Sequence, residues 1–188
     1  MKSFWAAAAI LYLLSACASN RPDHFYILTE LPGGTGEAKP APTVQASLRV
    51  TLPALVDRSE MLLNTSAGGV IVLEHERWAA PLADLMTQTL ARDLERRRTD
   101  MLVSARDLDR ARGTAVRITI DVVQMTVRQG DRVSIDAQWR IVDPRGGTET
   151  VGADEFSAAL RQDGYAAVAQ GLSESLALLA DRVAGLIK

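Results

Sequence analysis

The stretch from Val70 to Arg98 places an apolar strand directly before an amphipathic helix, and this order limits the fold more than any other feature. Residues Val70–Leu73 are mostly β-branched and follow two glycines, which predicts a strand that leaves a hairpin turn and ends near Glu74. From Pro81 onward, apolar residues recur at helical spacing and predict a helix over about residues 81–98. Its apolar stripe consists of Leu82, Leu85, Met86, Leu90 and Leu94. A helix with one apolar face needs a second layer to cover it, and a sheet can supply that layer.

Strand-like patterns recur along the rest of the chain, separated by turn residues. Alternating or β-branched runs predict strands at about residues 24–29, 48–52, 61–65, 101–104, 116–127, 133–141 and 148–159. Between Val122 and Val123 the alternation slips by one residue, which predicts either a bulge or a strand buried on both faces. Turn residues at 129–131 and 143–147 make the last three strands an antiparallel meander with one solvated face.

A second apolar stripe at helical spacing occupies residues 164–187. Its members are Val168, Leu172, Leu176, Leu179, Val183 and Leu186. The chain therefore has two helices that each bury one stripe, together with strands that bury one face. We expect an α+β fold, a two-layer sandwich in which a mostly antiparallel sheet is packed by two amphipathic helices at about 81–98 and 164–187.

The first 17 residues have the order of a bacterial lipoprotein export signal. Lys2 supplies a positive charge, residues 4–14 are mainly apolar, and small residues precede Cys17. The apolar run is shorter than the roughly 20 residues of a membrane span, so we expect residues 1–16 to be a cleaved signal peptide. In lipoproteins the thiol of such a cysteine receives a diacylglycerol, and acyl chains such as palmitate then anchor the protein. The alternative is an ordinary signal peptide cut nearby, with Cys17 incidental.

The residues after the cysteine predict both the location and the domain organisation. Ala18 stands where lipoproteins retained at the inner membrane commonly have aspartate, so we expect the periplasmic face of the outer membrane rather than the inner membrane. Removing residues 1–16 from the 188 leaves 172 residues. Residues 17–46 are expected to form the lipidated N-terminus, a short strand and a flexible loop, and residues 47–188 a single globular α+β domain. Cys17 is the only cysteine, so disulfides are excluded and stability must come from a packed core.

The composition and the polar residues point away from nucleic-acid binding and catalysis. Lys2 leaves with the signal peptide, so 20 basic residues against 23 acidic ones give a net charge of about −3, unlike a nucleic-acid-binding domain. The two histidines, His24 and His75, have no neighbours at zinc-site spacing, although Glu74–Glu76 could bind a metal weakly. Neither a nucleophile elbow nor a phosphate-binding loop precedes a helix. We expect no enzyme activity, no metal and no cofactor other than the covalent lipid on Cys17.

Two clusters of residues resemble the signature of the ABC-type transport auxiliary lipoproteins, a PqiC-like family. The first is an LP-x-LVDR turn formed by Leu52, Pro53, Leu55, Val56, Asp57 and Arg58. The second is an acidic residue followed by RWA-x-PL, formed by Glu76, Arg77, Trp78, Ala79, Pro81 and Leu82. The resemblance implies a periplasmic lipoprotein that works with a membrane-spanning lipid-transport system built on MCE-domain proteins.

The signature residues have a structural and a functional interpretation. In the first, Trp78 caps the core between helix and sheet, while Arg77 pairs with Glu74 or Asp57. In the second, Arg77 and Trp78 lie at a partner interface, where arginine and tryptophan are typical anchors. The same two interpretations apply to Asp57 and Arg58, which follow Pro53: they form either a salt-bridged turn or a contact site.

The arginines 96–98 also have two interpretations, a solvated helix end or a contact with anionic lipid headgroups.

Two functional hypotheses are open, and the first is what the family resemblance implies. The first is a non-catalytic lipoprotein that docks to an MCE-domain transporter protein, with homo-oligomerisation expected if the partner is a ring. The second is a lipid-binding carrier whose core opens to hold an acyl chain. An assembly-factor lipoprotein of another outer-membrane machine is a third hypothesis. Membrane attachment through Cys17 is common to all three.

Overall fold

Both predicted helices and all the predicted strands are present, but the strands form two sheets rather than one. The computed structural model describes residues 21–33, 41–105 and 115–187. In chain order the elements are β1 (His24–Tyr26), β2 (Val44–Thr51), β3 (Glu60–Asn64), β4 (Val70–Trp78), α1 (Leu82–Arg97), β5 (Met101–Ser104), β6 (Val116–Arg128), β7 (Arg132–Asp143), β8 (Thr148–Ala159) and α2 (Tyr165–Leu186). The predicted α+β sandwich with two amphipathic helices is therefore confirmed.

The larger sheet has five strands in the order β5-β2-β6-β7-β8. Strands β6, β7 and β8 form the predicted antiparallel meander. Strand β2 pairs in parallel with both β5 and β6, so the sheet is mixed. Neighbouring strands can run parallel only if a long connection carries the chain back to the end of the sheet at which the first strand began. The connection between β2 and β5 contains β3, β4 and α1 and is long enough for this.

The smaller sheet has three strands in the order β1-β4-β3. The prediction that β4 ends near Glu74 is wrong, because the strand continues to Trp78. Strand β1 pairs in parallel with residues 76–78 and extends the ladder through the charged end of β4. On its other side, Glu60 of β3 pairs with Arg77 after an irregularity between Glu60 and Met61. The charged segment before Trp78 is therefore a strand held from both sides.

The slip in the alternation of β6 is a bulge. The register with β7 shifts between Val122 and Gln124, and the side chain of Val123 is 55 % exposed. The buried face resumes at Met125. The alternative prediction, a strand buried on both faces, is therefore wrong, and the bulge keeps one face of β6 against the helices.

The core lies between the helices and the sheets. The predicted stripes are confirmed, because their main members are fully buried: Leu82, Met86, Leu90 and Leu94 on α1, and Leu172, Leu176, Leu179 and Val183 on α2. The opposite face of the large sheet is polar, as Arg117, Gln138 and Arg140 are exposed there. Both helices thus cover one side of the large sheet.

A glycine on β8 makes room for a buried tryptophan on β7. Gly152 lies opposite Trp139, and a Cβ atom at Gly152 would lie 2.8 Å from the indole nitrogen. Gly152→Ala should therefore destabilise the domain by about 1–3 kcal/mol, because the ring of Trp139 or the β8 backbone must move. Urea denaturation monitored by far-UV circular dichroism measures this effect.

Gly146→Ala is the matched control for Gly152→Ala. A Cβ atom at Gly146 would make only ordinary contact with Thr148, at 3.8 Å, so we expect a change within about 0.5 kcal/mol. Equal midpoints for the two variants would show that Trp139 does not pack over Gly152.

Candidate functional site: the signature turn and the N-terminal strap

The signature turn, residues 53–59, connects the large sheet to the small one. It is closed by backbone hydrogen bonds, in which the N–H groups of Val56 and Asp57 donate to the carbonyl of Pro53 at 2.9 and 3.1 Å. Val56 is buried in the core, whereas Leu55 is 58 % exposed and Asp57 is exposed. The turn thus anchors itself through one apolar side chain and presents its neighbours to solvent.

Arg77 on β4 ties the signature turn to β1. Its guanidinium donates to Ser59 Oγ at 3.0 Å and to Glu60 Oε1 at 3.1 Å, and it lies 3.5 Å from Asp23. The predicted pairing of Arg77 with Glu74 or Asp57 is wrong, because the β3–β4 register places Glu60 opposite Arg77.

Glu60 joins the two signature arginines. Arg58 Nε donates to the second carboxylate oxygen of Glu60 at 3.0 Å, while Arg77 holds the first. The hydrogen bond from Arg58, aided by backbone and Ser59 hydrogen bonds, lowers the pKa of Glu60 to about 2. This carboxylate therefore stays ionised at every pH at which the protein is expected to work, and the signature turn keeps its ion pairs.

The two histidines lie on β1 and β4 and each pairs with one carboxylate. His24 Nδ1 lies 3.0 Å from Glu76, which also accepts a 2.6 Å hydrogen bond from the Tyr26 hydroxyl. Burial, followed by the bond to Glu76, raises the pKa of Tyr26 to about 12. His75 Nδ1 lies 2.9 Å from Asp23, and this contact lowers the pKa of Asp23.

The Glu74–Glu76 segment was one candidate for a weak metal site. Its histidine faces Asp23 while Glu76 faces His24 and Tyr26, so His75 and Glu76 do not converge on one point. Within residues 21–33, 41–105 and 115–187, the structure has no group of three His, Cys, Asp or Glu side chains that could hold a metal ion.

Trp78 is the last residue of β4 and lies in the core with 3 % of its surface exposed. Its backbone N–H donates to the carbonyl of Ser59 at 2.7 Å, and the next residue, Ala79, donates to the carbonyl of Tyr26 at 2.8 Å. The side chain is therefore buried in the core, in agreement with the structural interpretation, and the backbone lies at the junction of β1, β4 and the signature turn. A partner protein would therefore contact the residues around Trp78 rather than the indole ring itself.

A second polar cluster, which the sequence did not predict, holds the N-terminal strap, residues 28–33, across both helices. Asp93 on α1 is fully buried, and its Oδ1 accepts a 2.9 Å hydrogen bond from the backbone N–H of Leu31. Its Oδ2 has no hydrogen-bond partner within the described part of the chain. Burial raises the pKa of Asp93 to about 6, although Leu31 and Arg97 favour the charged form. On α2, Ser173 Oγ accepts a 3.1 Å hydrogen bond from Thr29 N–H.

The arginine run at the end of α1 is partly solvated and partly paired, since the side chain of Arg96 is 44 % exposed and that of Arg97 only 8 %. Arg96 lies 3.1 Å from Glu30 of the strap. Arg97 is largely buried and lies 2.5 Å from Asp181 of α2. Arg98 donates to Asp100 at 2.9 Å and also to the carbonyl of Ile187. Each arginine thus connects α1 to another segment.

Two surface grooves accompany these clusters. One of about 560 Å³ lies between the β3–β4 hairpin and the β6–β7 turn and is lined by Leu63, Ile71 and Arg128 among others. The other, of about 640 Å³, lies beside the strap and is lined by Leu31, Arg97, Leu178 and Asp181 among others.

The proposed lipidation site, Cys17, lies outside the described residues. Among the residues described, the helices are too short or too polar to cross a bilayer.

Comparison with known proteins identifies the family. The model of the ABC-type transport auxiliary lipoprotein component matches residues 26–184, so this chain belongs to that family. The resemblance carried by the signature turn and by the residues around Trp78 is therefore confirmed. No curated protein matches the chain.

Two crystal structures share the fold. One, of an uncharacterized protein, is 17 % identical, covers 89 % of this chain and all of its own, and superposes with a TM-score of 0.74. The other, protein XCC0632 from Xanthomonas campestris, is 13 % identical, covers 87 % of this chain and 94 % of its own, and has a TM-score of 0.66. At these identities the likeness establishes the α+β architecture alone.

Proposed function

We propose that this auxiliary lipoprotein is a non-catalytic subunit of an MCE-type, PqiABC-like lipid transport system. A lipid on Cys17 holds it at the periplasmic face of the outer membrane. There it docks to the MCE-domain protein and supports the integrity of the envelope. The observation that carries this proposal is the family match, which spans residues 26–184 and therefore almost the whole described chain.

The N-terminal sequence supports the membrane attachment. Small residues precede Cys17 and a short apolar run precedes them, which is the pattern of a processed lipoprotein. Several acyl chains together anchor a protein stably, since each buried methylene contributes about 0.8 kcal/mol. The strap then holds the chain on the folded domain at Thr29, 12 residues after Cys17, and at Leu31.

The signature residues divide into contact and positioning roles in this proposal. Asp57 and Arg58 reach solvent and are the proposed contacts with the MCE protein. Pro53 closes the signature turn, Trp78 fills the core beneath it, and Arg77 fixes its far end through Ser59 and Glu60. The last three would therefore affect docking by holding Asp57 and Arg58 in place.

Docking is tested by capture of the mature protein on the purified MCE subunit. Arg58→Glu should weaken capture roughly tenfold, because a charge that pairs across an interface is reversed. Arg140→Glu is the matched control, since Arg140 is an exposed and ion-paired arginine on the polar face of the large sheet. Melting curves exclude unfolding of either variant. Equal capture of both variants would remove Arg58 from the interface, and failure of the unsubstituted protein to bind would count against docking.

Native mass spectrometry of the delipidated domain distinguishes docking from the carrier hypothesis. A subunit that only docks should appear at the mass of the polypeptide. A stoichiometric complex with co-purified phospholipid would instead identify a carrier.

Replacing Cys17 by alanine should leave the domain folded but move it from the membrane fraction to the soluble periplasmic fraction, because the acyl chains are lost. Fractionation and immunoblotting measure the distribution. Ser15→Ala is the matched control, because a small residue before the cysteine is retained and the anchor should form. Persistent membrane association of the Cys17→Ala protein would contradict the lipid anchor.

A further inference from the structure

Two large apolar side chains project into solvent, Phe25 from β1 and Ile27 from the residue that directly follows the strand. Phe25 is 63 % exposed and Ile27 is 59 % exposed, whereas the intervening Tyr26 is partly buried and Leu28 is buried. This alternation places Phe25 and Ile27 on one side of the strand, and we call this pair the β1 edge. Strand β1 is an outer strand of the small sheet, so the β1 edge lies at its boundary. Adjacent exposed apolar residues of this size are typical of a contact surface.

The charged groups beside the β1 edge compensate one another. Arg77 lies in register with Phe25 and pairs with both Asp23 and Glu60. Asp23 also pairs with His75 at 2.9 Å. Asp23 and Arg77 therefore each have a partner, so this part of the sheet can approach a low-dielectric surface without leaving either group unpaired.

The length of the chain between Cys17 and β1 limits how far the β1 edge can lie from the membrane. Phe25 follows Cys17 by eight residues, and a fully extended chain of that length spans at most about 28 Å. A domain formed by the 172 mature residues is about 40 Å across, so a Cys17 anchor keeps β1 closer to the bilayer than most of the molecule. Such tethering gives the β1 edge a high effective concentration at the lipid surface.

We propose that the β1 edge, Phe25 together with Ile27, rests in the interfacial layer of the bilayer to which the protein is anchored. This inference depends on the lipid anchor of the proposed function. The anchor alone would allow the domain to rotate freely, whereas insertion of two further apolar groups fixes its orientation. The signature turn lies at the opposite, β3 side of the same sheet, about two strand spacings or roughly 10 Å away. The bilayer and the transporter would then occupy different edges of the small sheet.

Tryptophan fluorescence in vesicles tests the orientation. The mature chain contains only Trp78 and Trp139, and both are buried, so a tryptophan introduced at position 25 reports its own surroundings. The lipidated Phe25→Trp protein is reconstituted into phosphatidylcholine vesicles whose acyl chains carry bromine. We expect bromolipid to quench the added emission and to shift it to shorter wavelength. Ile27→Trp should behave in the same way.

Val151→Trp is the matched control, because Val151 is equally exposed but lies on β8 of the large sheet. Its emission should remain unquenched. Equal emission from positions 25 and 151 would overturn the proposal. It would also be overturned if position 25 were shielded without vesicles as the protein concentration rises, or only when the MCE subunit is added, since these results identify a second copy or the transporter as the occupant.

A separate arm distinguishes failure of the anchor from failure of the orientation. If the protein made in cells lacks the lipid and does not float with vesicles, the proposed lipoprotein function fails. The mature chain can then be coupled through its single thiol to a maleimide phospholipid and measured in the same way. Quenching at position 25 in this preparation supports the β1 edge as a lipid contact, and absence of quenching overturns it.

Discussion

Replacing Trp78 by alanine is expected to lower the free energy of unfolding by about 3–5 kcal/mol, the range measured for large buried aromatic side chains. Trp78 is 3 % exposed and belongs to the hydrophobic core. Its position at the end of β4 places it under the junction of three segments, since its backbone contacts Ser59 and its neighbour Ala79 contacts Tyr26. A cavity at this point removes packing from the hydrophobic core beside that junction.

Urea denaturation followed by far-UV circular dichroism measures this loss without depending on the fluorescence of the deleted side chain. Phe25→Ala is the matched control, an aromatic truncation on the strand that pairs with residues 76–78. Because Phe25 is mostly exposed, its truncation should change stability by no more than about 0.5 kcal/mol. An unchanged midpoint for Trp78→Ala combined with lost capture by the MCE subunit would make Trp78 an interface residue instead.

The helices and most strands could be predicted because their signals are local. Leu82, Met86, Leu90 and Leu94 recur every four residues, and this spacing specifies one buried face whatever it packs against. The bulge in β6 was also visible, because a slip in alternation must either expose a residue or bury both faces. Only the exposure of Val123 decides between those outcomes, and it depends on the helices lying on one side of the sheet.

The division into two sheets could not be predicted, since it depends on pairings between distant segments. His24 pairs with Glu76 across 52 residues, and this contact extends β4 through charged residues whose local pattern indicates a strand end. The partner of Arg77 also depends on a pairing between distant segments. The sequence predicts Glu74 or Asp57 as this partner, whereas the β3–β4 register selects Glu60.

The strap cluster was missed because a charged residue near a helix end is ordinarily solvated. The sequence predicts that the arginines 96–98 face water or lipid, and Arg96 is indeed 44 % exposed, but the run also connects α1 to Glu30, Asp181 and the carbonyl of Ile187. One local signal was available, since Asp93 and Arg97 are four residues apart and such pairs share a helix face. That spacing could not reveal that Asp93 is buried beneath the strap.

The buried carboxyl of Asp93 should make stability depend on pH in a direction opposite to that of the paired surface carboxylates. Burial raises the pKa of Asp93 from 3.8 to about 6 in the folded protein. The folded state therefore holds this proton more tightly than the unfolded state, so the stabilisation is complete below about pH 4 and is lost as the pH rises through about 6. A shift of about two units corresponds to about 3 kcal/mol.

Comparison of the protein with its Asp93→Asn variant isolates this contribution, because lowered pKa values at Asp23, Glu60 and other carboxylates give the opposite slope in both proteins. Asparagine can still accept the hydrogen bond from Leu31 N–H but does not titrate. The difference in unfolding free energy, measured by urea denaturation from pH 4 to 7, should therefore move by about 2 kcal/mol in favour of the variant as the pH rises. Asp181→Asn, which removes the other carboxylate that pairs with Arg97 but is mostly exposed, is measured in parallel as the matched control. Parallel curves for the protein and Asp93→Asn would show that Asp93 is already ionised when the strap is bound.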